Sequence, residues 1–255
     1  MKQTKITISM ILLIIAPFLG LAQEEKSYQA FWVHEDRVKP GMTDTYEKVT
    51  KDLVAACKEH NVQDTQWITL RMNDNKYLFV TPINSLADLD KNGFATLSEK
   101  MGADKMNALF ARYNETYNKH GDYVIYLNKD LSYQPGGISQ TVEGENYRVM
   151  YYNYVTPESD KGFADTMKKM KAAFEKNNSK MHFRVYKSGF GVMGTFYMVA
   201  VASKGEADGA QRGDENWKLM EDDFSPLLKE LNKHTSKMEE RRGWMRPDLA
   251  YEPAK

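Results

Sequence analysis

A repetition inside the chain constrains its fold more than any other feature. Asp130-Leu131-Ser132-Tyr133-Gln134-Pro135 recurs as Asp248-Leu249-Ala250-Tyr251-Glu252-Pro253, 118 residues later and with four of six residues identical. The surroundings keep the offset. Met106, Leu109, Phe110 and Tyr113 form an i, i+3, i+4, i+7 stripe, and Phe224, Leu227, Leu228 and Leu231 form the same stripe. Pro40 and Pro157 each open a helical segment in which Tyr46, Leu53 and Cys57 correspond to Phe163, Met170 and Phe174. Aromatic strand-like runs, Tyr28 to His34 and Tyr147 to Tyr154, precede the two prolines. Hairpins follow the helices, turning at Asn73-Asp74-Asn75 and at Ser188-Gly189-Phe190-Gly191. With closing strands over Tyr123 to Asn128 and Arg242 to Met245, each half reads strand, helix, strand, strand, helix, strand.

That order is the ferredoxin-like βαββαβ unit, a four-stranded antiparallel sheet carrying both helices on one face. The expected fold is therefore α+β, with ferredoxin-like repeats over 23–135 and 147–255 joined by a linker, 136–146, that opens on Gly136-Gly137. Each sheet keeps a second apolar face. Two tandem copies cover it by packing sheet to sheet as an intramolecular pseudo-dimeric α/β barrel, so a monomer is expected.

Residues 1–22 read as a secretory signal peptide. Lys2 and Lys5 give a basic start, Ile6 to Leu21 an apolar run, and Gly20-Leu21-Ala22 small residues before a cleavage point. The run is shorter than the roughly twenty residues needed to span a bilayer. The expectation is a soluble periplasmic or secreted protein with no membrane association once the signal is cleaved. The single cysteine, Cys57, can form no internal disulfide. Lys+Arg and Asp+Glu are 35 each, and loss of Lys2 and Lys5 leaves 33 basic residues against 35 acidic. That balance argues against a nucleic-acid partner, whose binding would call for a basic excess.

The duplicated βαββαβ pattern resembles the dimeric α/β-barrel superfamily, which includes antibiotic-biosynthesis-monooxygenase-like and NIPSNAP-like domains. The resemblance spans nearly all of the chain after the leader, and it implies an architecture with a pocket for a small ligand. It also implies possible chemistries: cofactor-free oxygenation, or haem binding as in relatives similar to chlorite dismutases and coproheme decarboxylases. No catalytic string of the superfamily can be laid onto these residues.

The residues themselves supply candidates for a ligand pocket. Trp32 and His34 share one face of the first strand, and the repeat offset puts Tyr151 and Asn153 at the matching positions. His182, Arg184 and Tyr186 alternate along another strand. Such a wall of rings with a few polar groups suits a small apolar or aromatic molecule, and a cavity uniting Trp32, His34, Tyr151 and Arg184 is expected. The alternative residing in the same residues is a cofactor-free monooxygenase or isomerase using His34 or His182 as base. A further alternative is a protein-interaction module with no ligand. The five histidines show no HxxxH or HxH spacing and there is no CxxC, so no metal site is expected. His60, His120 and His234 are read as lying near helix C-termini. Because His120 and His234 lie off the apolar stripes, neither offers a haem its axial ligand, and no cofactor is predicted. There is no Gly-x-Ser-x-Gly, and Cys57 falls on a core-facing helical position.

Overall fold

The computed structural model describes residues 27–254, so the signal expected over 1–22 lies outside the described residues. The elements are β1 (Tyr28–Val38), α1 (Thr43–Glu59), β2 (Ile68–Met72), β3 (Lys76–Ile83), α2 (Ala95–Met101), α3 (Ala103–Ala111) and β4 (Tyr117–Tyr133). They are followed by β5 (Tyr147–Val155), α4 (Asp160–Lys176), β6 (Phe183–Ser188), β7 (Thr195–Ser203), α5 (Glu206–Lys233) and β8 (Lys237–Met245). All eight strands close one barrel in the order β1-β3-β2-β8-β5-β7-β6-β4. Every ladder is antiparallel. Read in two halves, the circle contains β4-β1-β3-β2 and β8-β5-β7-β6, the same order twice. The halves meet edge to edge: β2 pairs with β8, as Leu70 with Met245, and β4 pairs with β6, as Leu127 with Tyr186. Hydrogen-bonded seams thus join the two sheets, where face packing alone was expected. No strand edge is left open, which removes the template for further strand pairing.

Successive residues along each strand point alternately into and out of the barrel. Phe31, Val33, Leu78, Ile125, Met150, Tyr152, Tyr186 and Met198 fill the barrel, leaving an internal cavity of only about 70 Å³. Outside, α1, α2 and α3 pack on one half of the sheet around Tyr46, Val49, Leu53, Cys57, Leu97 and Leu109. The helices α4 and α5 cover the other half around Phe163, Met167, Met170, Phe174, Met220 and Leu231. Cys57 is fully buried, and burial, then Asp64, push its thiol up to about 12, so it is an inert core residue.

Three local expectations change. The second helix of each half is broken. Gly102 separates α2 from α3 at φ 85°, and Met220, 118 residues on, leaves helical geometry at φ −140° inside α5. Strand β4 begins at Tyr117, six residues earlier than expected, so His120 lies on a strand and not at a helix end. Finally, the 136–146 segment is more than a spacer. Ile138 packs into the barrel core, and the carbonyls of Ser139, Gln140 and Glu145 accept hydrogen bonds from Arg184 and Arg148, so the segment plugs one barrel mouth.

The repeated hexapeptide has a reciprocal role. Leu131 and Tyr133, at the end of the first copy, are buried in the core under α4 and α5, whereas Leu249 and Tyr251 are buried in the core under α1 to α3. The Tyr133 hydroxyl donates to the Ser179 carbonyl at 2.9 Å, and the Tyr251 hydroxyl donates to the Val62 carbonyl at 2.7 Å. Each tail therefore latches onto the opposite half.

Candidate functional site

A recess that joins an aromatic wall to a cluster of ionisable groups lies outside the barrel, between the outer face of β1, β3 and β4 and helices α1 and α3. Its volume is about 610 Å³. Trp67, Phe79, Phe94, Phe110 and Tyr113 form its aromatic wall, and Trp32, His34, Asp36, His120 and Asp122 form a polar end. The wall is itself packed ring on ring: Phe94 meets Trp67 at 6.0 Å and Phe110 at 5.5 Å. In this half the broken α2–α3 element is shorter than α5, which leaves the recess open.

Strand parity builds the polar end. Trp32, His34 and Asp36 alternate along the outer face of β1, and antiparallel register sets Asp122 opposite His34 and His120 opposite Asp36. A β-bulge between Arg37 and Val38 shifts the register, so that Tyr117 reaches the same face as His120. The His34 Nδ1 lies 2.9 Å from Asp122 Oδ1, which also accepts a hydrogen bond from Trp32 Nε1 at 2.9 Å. On its other side, His34 Nε2 lies 3.3 Å from Asp36 Oδ1. Burial by itself would lower the His34 pKa, but Asp36 and then Asp122 outweigh it and raise it to about 9. Both ring nitrogens are therefore engaged and the imidazole is held as a cation. Asp36 is 5% exposed and accepts the Tyr46 hydroxyl on Oδ2 at 2.6 Å. Burial, then the Asp36 charge, push the Tyr46 hydroxyl far up, so it remains a donor.

The residues expected to share one cavity divide among separate places. Trp32 and His34 belong to the outer recess. Tyr151 and Asn153 are on the equivalent outer face of the second half, but there the space is filled: Phe163 stacks on Tyr197 at 4.6 Å, and Asn153 donates to the carbonyls of Tyr151 and Tyr197. Arg184 and Tyr186 point into the barrel. Arg184 donates to the Ser139 carbonyl at 2.5 Å, and its Nε has no hydrogen-bond partner. Beside it, burial and then Arg184 lower the Arg148 pKa to about 10. His182 precedes β6, is exposed, and sits edge-on to Tyr133 at 5.8 Å. Burial, then the balance of Glu145 against Arg212 and Arg184, lowers its pKa.

Sequence reasoning missed Asp36, His120, Asp122, Tyr46 and the helical aromatics. Asp36 carried a usable signal, since it continues the alternation Trp32-x-His34-x-Asp36. His120-Gly121-Asp122 carried the same alternation, but the polar run Asn118-Lys119 and Gly121 read as the end of a helix. Among the described residues the histidines at helix ends are His60 and His234, and the His234 ring is packed on Gly162 and paired with Glu230 at 3.4 Å.

A closed eight-stranded antiparallel barrel with helices outside, bearing an open aromatic recess, is the class of protein that these features define. No family model matches the chain, and no curated protein sequence does. Solved structures share the fold. An anthrone oxidase-like protein superposes with a TM-score of 0.58 at 10% identity, over 87% of this chain and 92% of that one. A candidate monooxygenase from Fusobacterium nucleatum subsp. nucleatum ATCC 25586 gives 0.53 at 15% identity, over 86% and 93%. One from Lactobacillus acidophilus NCFM gives 0.53 at 7% identity, over 86% and 94%. At these identities the likeness is one of fold, and it agrees with the α/β-barrel architecture expected from the sequence.

Proposed function

We propose that the chain binds a small, largely aromatic or apolar molecule carrying one hydrogen-bonding group, in the recess between β1, β3 and β4 and helices α1 and α3. The observation that carries this reading is the pairing of an aromatic wall with a single polar end in a recess of about 610 Å³, since rings supply contact area and a few fixed polar groups supply orientation. The barrel interior, at about 70 Å³, is too small for such a molecule. In the test, small molecules released from the purified protein are identified by mass spectrometry, and binding is then measured by titration. Phe110→Ala is expected to weaken binding at least tenfold while Tyr151→Ala, on the filled face of the other half, leaves it unchanged. Equal affinities in wild type and Phe110→Ala would rule out this recess.

A second reading, a cofactor-free monooxygenase-like or isomerase-like activity on the bound molecule, is supported by the two histidines and two carboxylates at the polar end, which are groups able to move protons beside a bound ring. Its test is product formation with the recovered ligand under air and under nitrogen. The chain is further proposed to be a tandem duplication, exported through cleavage after Ala22 and monomeric. The basic start and apolar run of residues 1–21 support export, and Edman sequencing of the mature protein beginning at Gln23 is the expected result.

A further inference from the structure

The polar end of the recess contains a donor set that does not depend on any ligand in the aromatic part. His34 and Asp36 project from the same face of β1, and His120 stands opposite Asp36 on β4. One donor atom from each of the three lies within 4.8 Å of the others, and His34 Nε2 is already 3.3 Å from Asp36 Oδ1. Ligand bonds of about 2.0–2.2 Å to a divalent transition metal put adjacent donors roughly 3 Å apart, close to the spacing that His34 Nε2 and Asp36 Oδ1 already have.

Asp36 supplies the independent sign that something is held here. Its side chain is buried, Oδ2 accepts the Tyr46 hydroxyl, and Oδ1 accepts no hydrogen bond although it points into the cluster. The 3.3 Å approach of His34 Nε2 is an ion-pair contact, not a well-directed hydrogen bond. A buried carboxylate oxygen without a donor is costly, and a cation between the three groups satisfies it.

The surrounding groups orient these donors as metal ligands are usually oriented. Asp122 faces His34 Nδ1 and holds the ring with Nε2 toward Asp36, so that an arriving ion displaces the Nε2 proton and takes its place, while Tyr46 fixes the far oxygen of Asp36. The fold itself has no need of the cluster. Asn153 and Met238, paired across β5 and β8, occupy the places of His34 and Asp122 in the other half, and Val155 stands where Asp36 does.

We propose that His34, Asp36 and His120 bind one divalent first-row transition-metal ion, with its remaining coordination positions open toward the recess. Two imidazoles and one carboxylate are a donor set such ions favour over magnesium or calcium. The inference is independent of the small-molecule reading, since the metal alone is the probe.

Tag-free protein is stripped with chelator, dialysed, and titrated with Co(II) and Zn(II) by calorimetry, with the visible absorption of Co(II) followed in parallel. One ion per chain is expected, with Co(II) bands of a site containing nitrogen donors. His120→Ala is the decisive variant, because His120 is exposed and its loss leaves the fold intact. It is expected to weaken binding at least a hundredfold. Asp122→Asn, which alters the hydrogen bonds that hold His34 and Trp32 but removes no donor of the set, is expected to weaken it by about 10- to 100-fold. His234→Ala is expected to change nothing. Absence of stoichiometric binding in wild type, or unchanged affinity in His120→Ala, overturns the proposal.

Discussion

Glu47 ties together four segments that are far apart in the chain. On α1, it accepts the Tyr77 hydroxyl of β3 at 2.6 Å, a two-pronged contact from Arg246 beyond β8, with Nη2 at 2.7 Å, and Arg71 of β2 at 3.3 Å. Burial would raise the Glu47 pKa, but Arg246, Tyr77 and Arg71 outweigh it and hold the carboxyl below its usual range. A depressed folded-state pKa means that this stabilisation is complete above the unfolded value near 4.5 and is lost as pH falls through the folded one. Glu47→Gln should therefore cost about 1.5–3 kcal/mol at pH 7, as expected for hydrogen bonds to a charged group, and progressively less as the solution is made acidic. Urea unfolding at pH 7 and at pH 3 checks this, and a cost that is the same at both values would show that the carboxylate charge is not what matters. At this scale the sequence was legible by parity and illegible by side. Arg184 and Tyr186 do share a face, as do Trp32 and His34, but alternation cannot say which face of a strand is inside a barrel when both faces are apolar. That ambiguity is why residues from an inner and an outer face were expected in one cavity.

Among the elements, the second helix of each half shows how similar geometry arises from different residues. Gly102 adopts positive φ at no steric cost, and a Cβ there would meet nothing within 4 Å, so Gly102→Ala should cost about 1–2 kcal/mol from the backbone alone. Met220 makes the corresponding break without glycine, six residues before Pro226, whose ring cannot be accommodated in an uninterrupted helix. The amphipathic stripes were readable because their period is set by burial. The breaks were not, since neither residue type alone announces one. The packing of α4 on α5 offers a sharper test. A Cβ on Gly162 would lie 2.3 Å from Cε1 of the His234 ring at the end of α5. Gly162→Ala should destabilise by about 1–3 kcal/mol through overpacking, even though alanine is the better helix former. In a His234→Ala background the clash is gone and only the propensity remains, so the same substitution should become neutral or stabilising by up to about 1 kcal/mol. Thermal unfolding of the four proteins of this cycle decides it. A cost that persists without the histidine ring would mean that α4 and α5 are not held apart by this contact.

The whole molecule is a ring in which neither half closes alone. Besides the β2–β8 and β4–β6 seams, each tail is buried in the opposite helix layer, with Leu131 1% and Leu249 0% exposed. The repeated string revealed that two places in the chain meet equivalent surroundings, and it could not reveal that those surroundings belong to the other copy. A repeat in sequence fixes similarity of environment, whereas the exchange of tails depends on contacts far apart in the chain, such as the Tyr133 hydroxyl donating to the Ser179 carbonyl 46 residues on and Trp67 Nε1 donating to the Leu249 carbonyl 182 residues on. With both edges of both sheets already paired inside the chain, gel filtration should give a monomer at every concentration tested. The exchange also makes a thermodynamic statement. If the halves were separate domains, weakening one core would split unfolding into two steps. Because Leu249 is carried by the second half and buried in the first, Leu249→Ala removes about 2–5 kcal/mol from a structure that both halves share. Its unfolding should remain one transition, with fluorescence and far-ultraviolet circular dichroism coincident, and Leu131→Ala should behave the same way. Two resolved transitions in either variant, with the unaltered half melting at the wild-type temperature, would show that the latches carry no cooperativity between the halves.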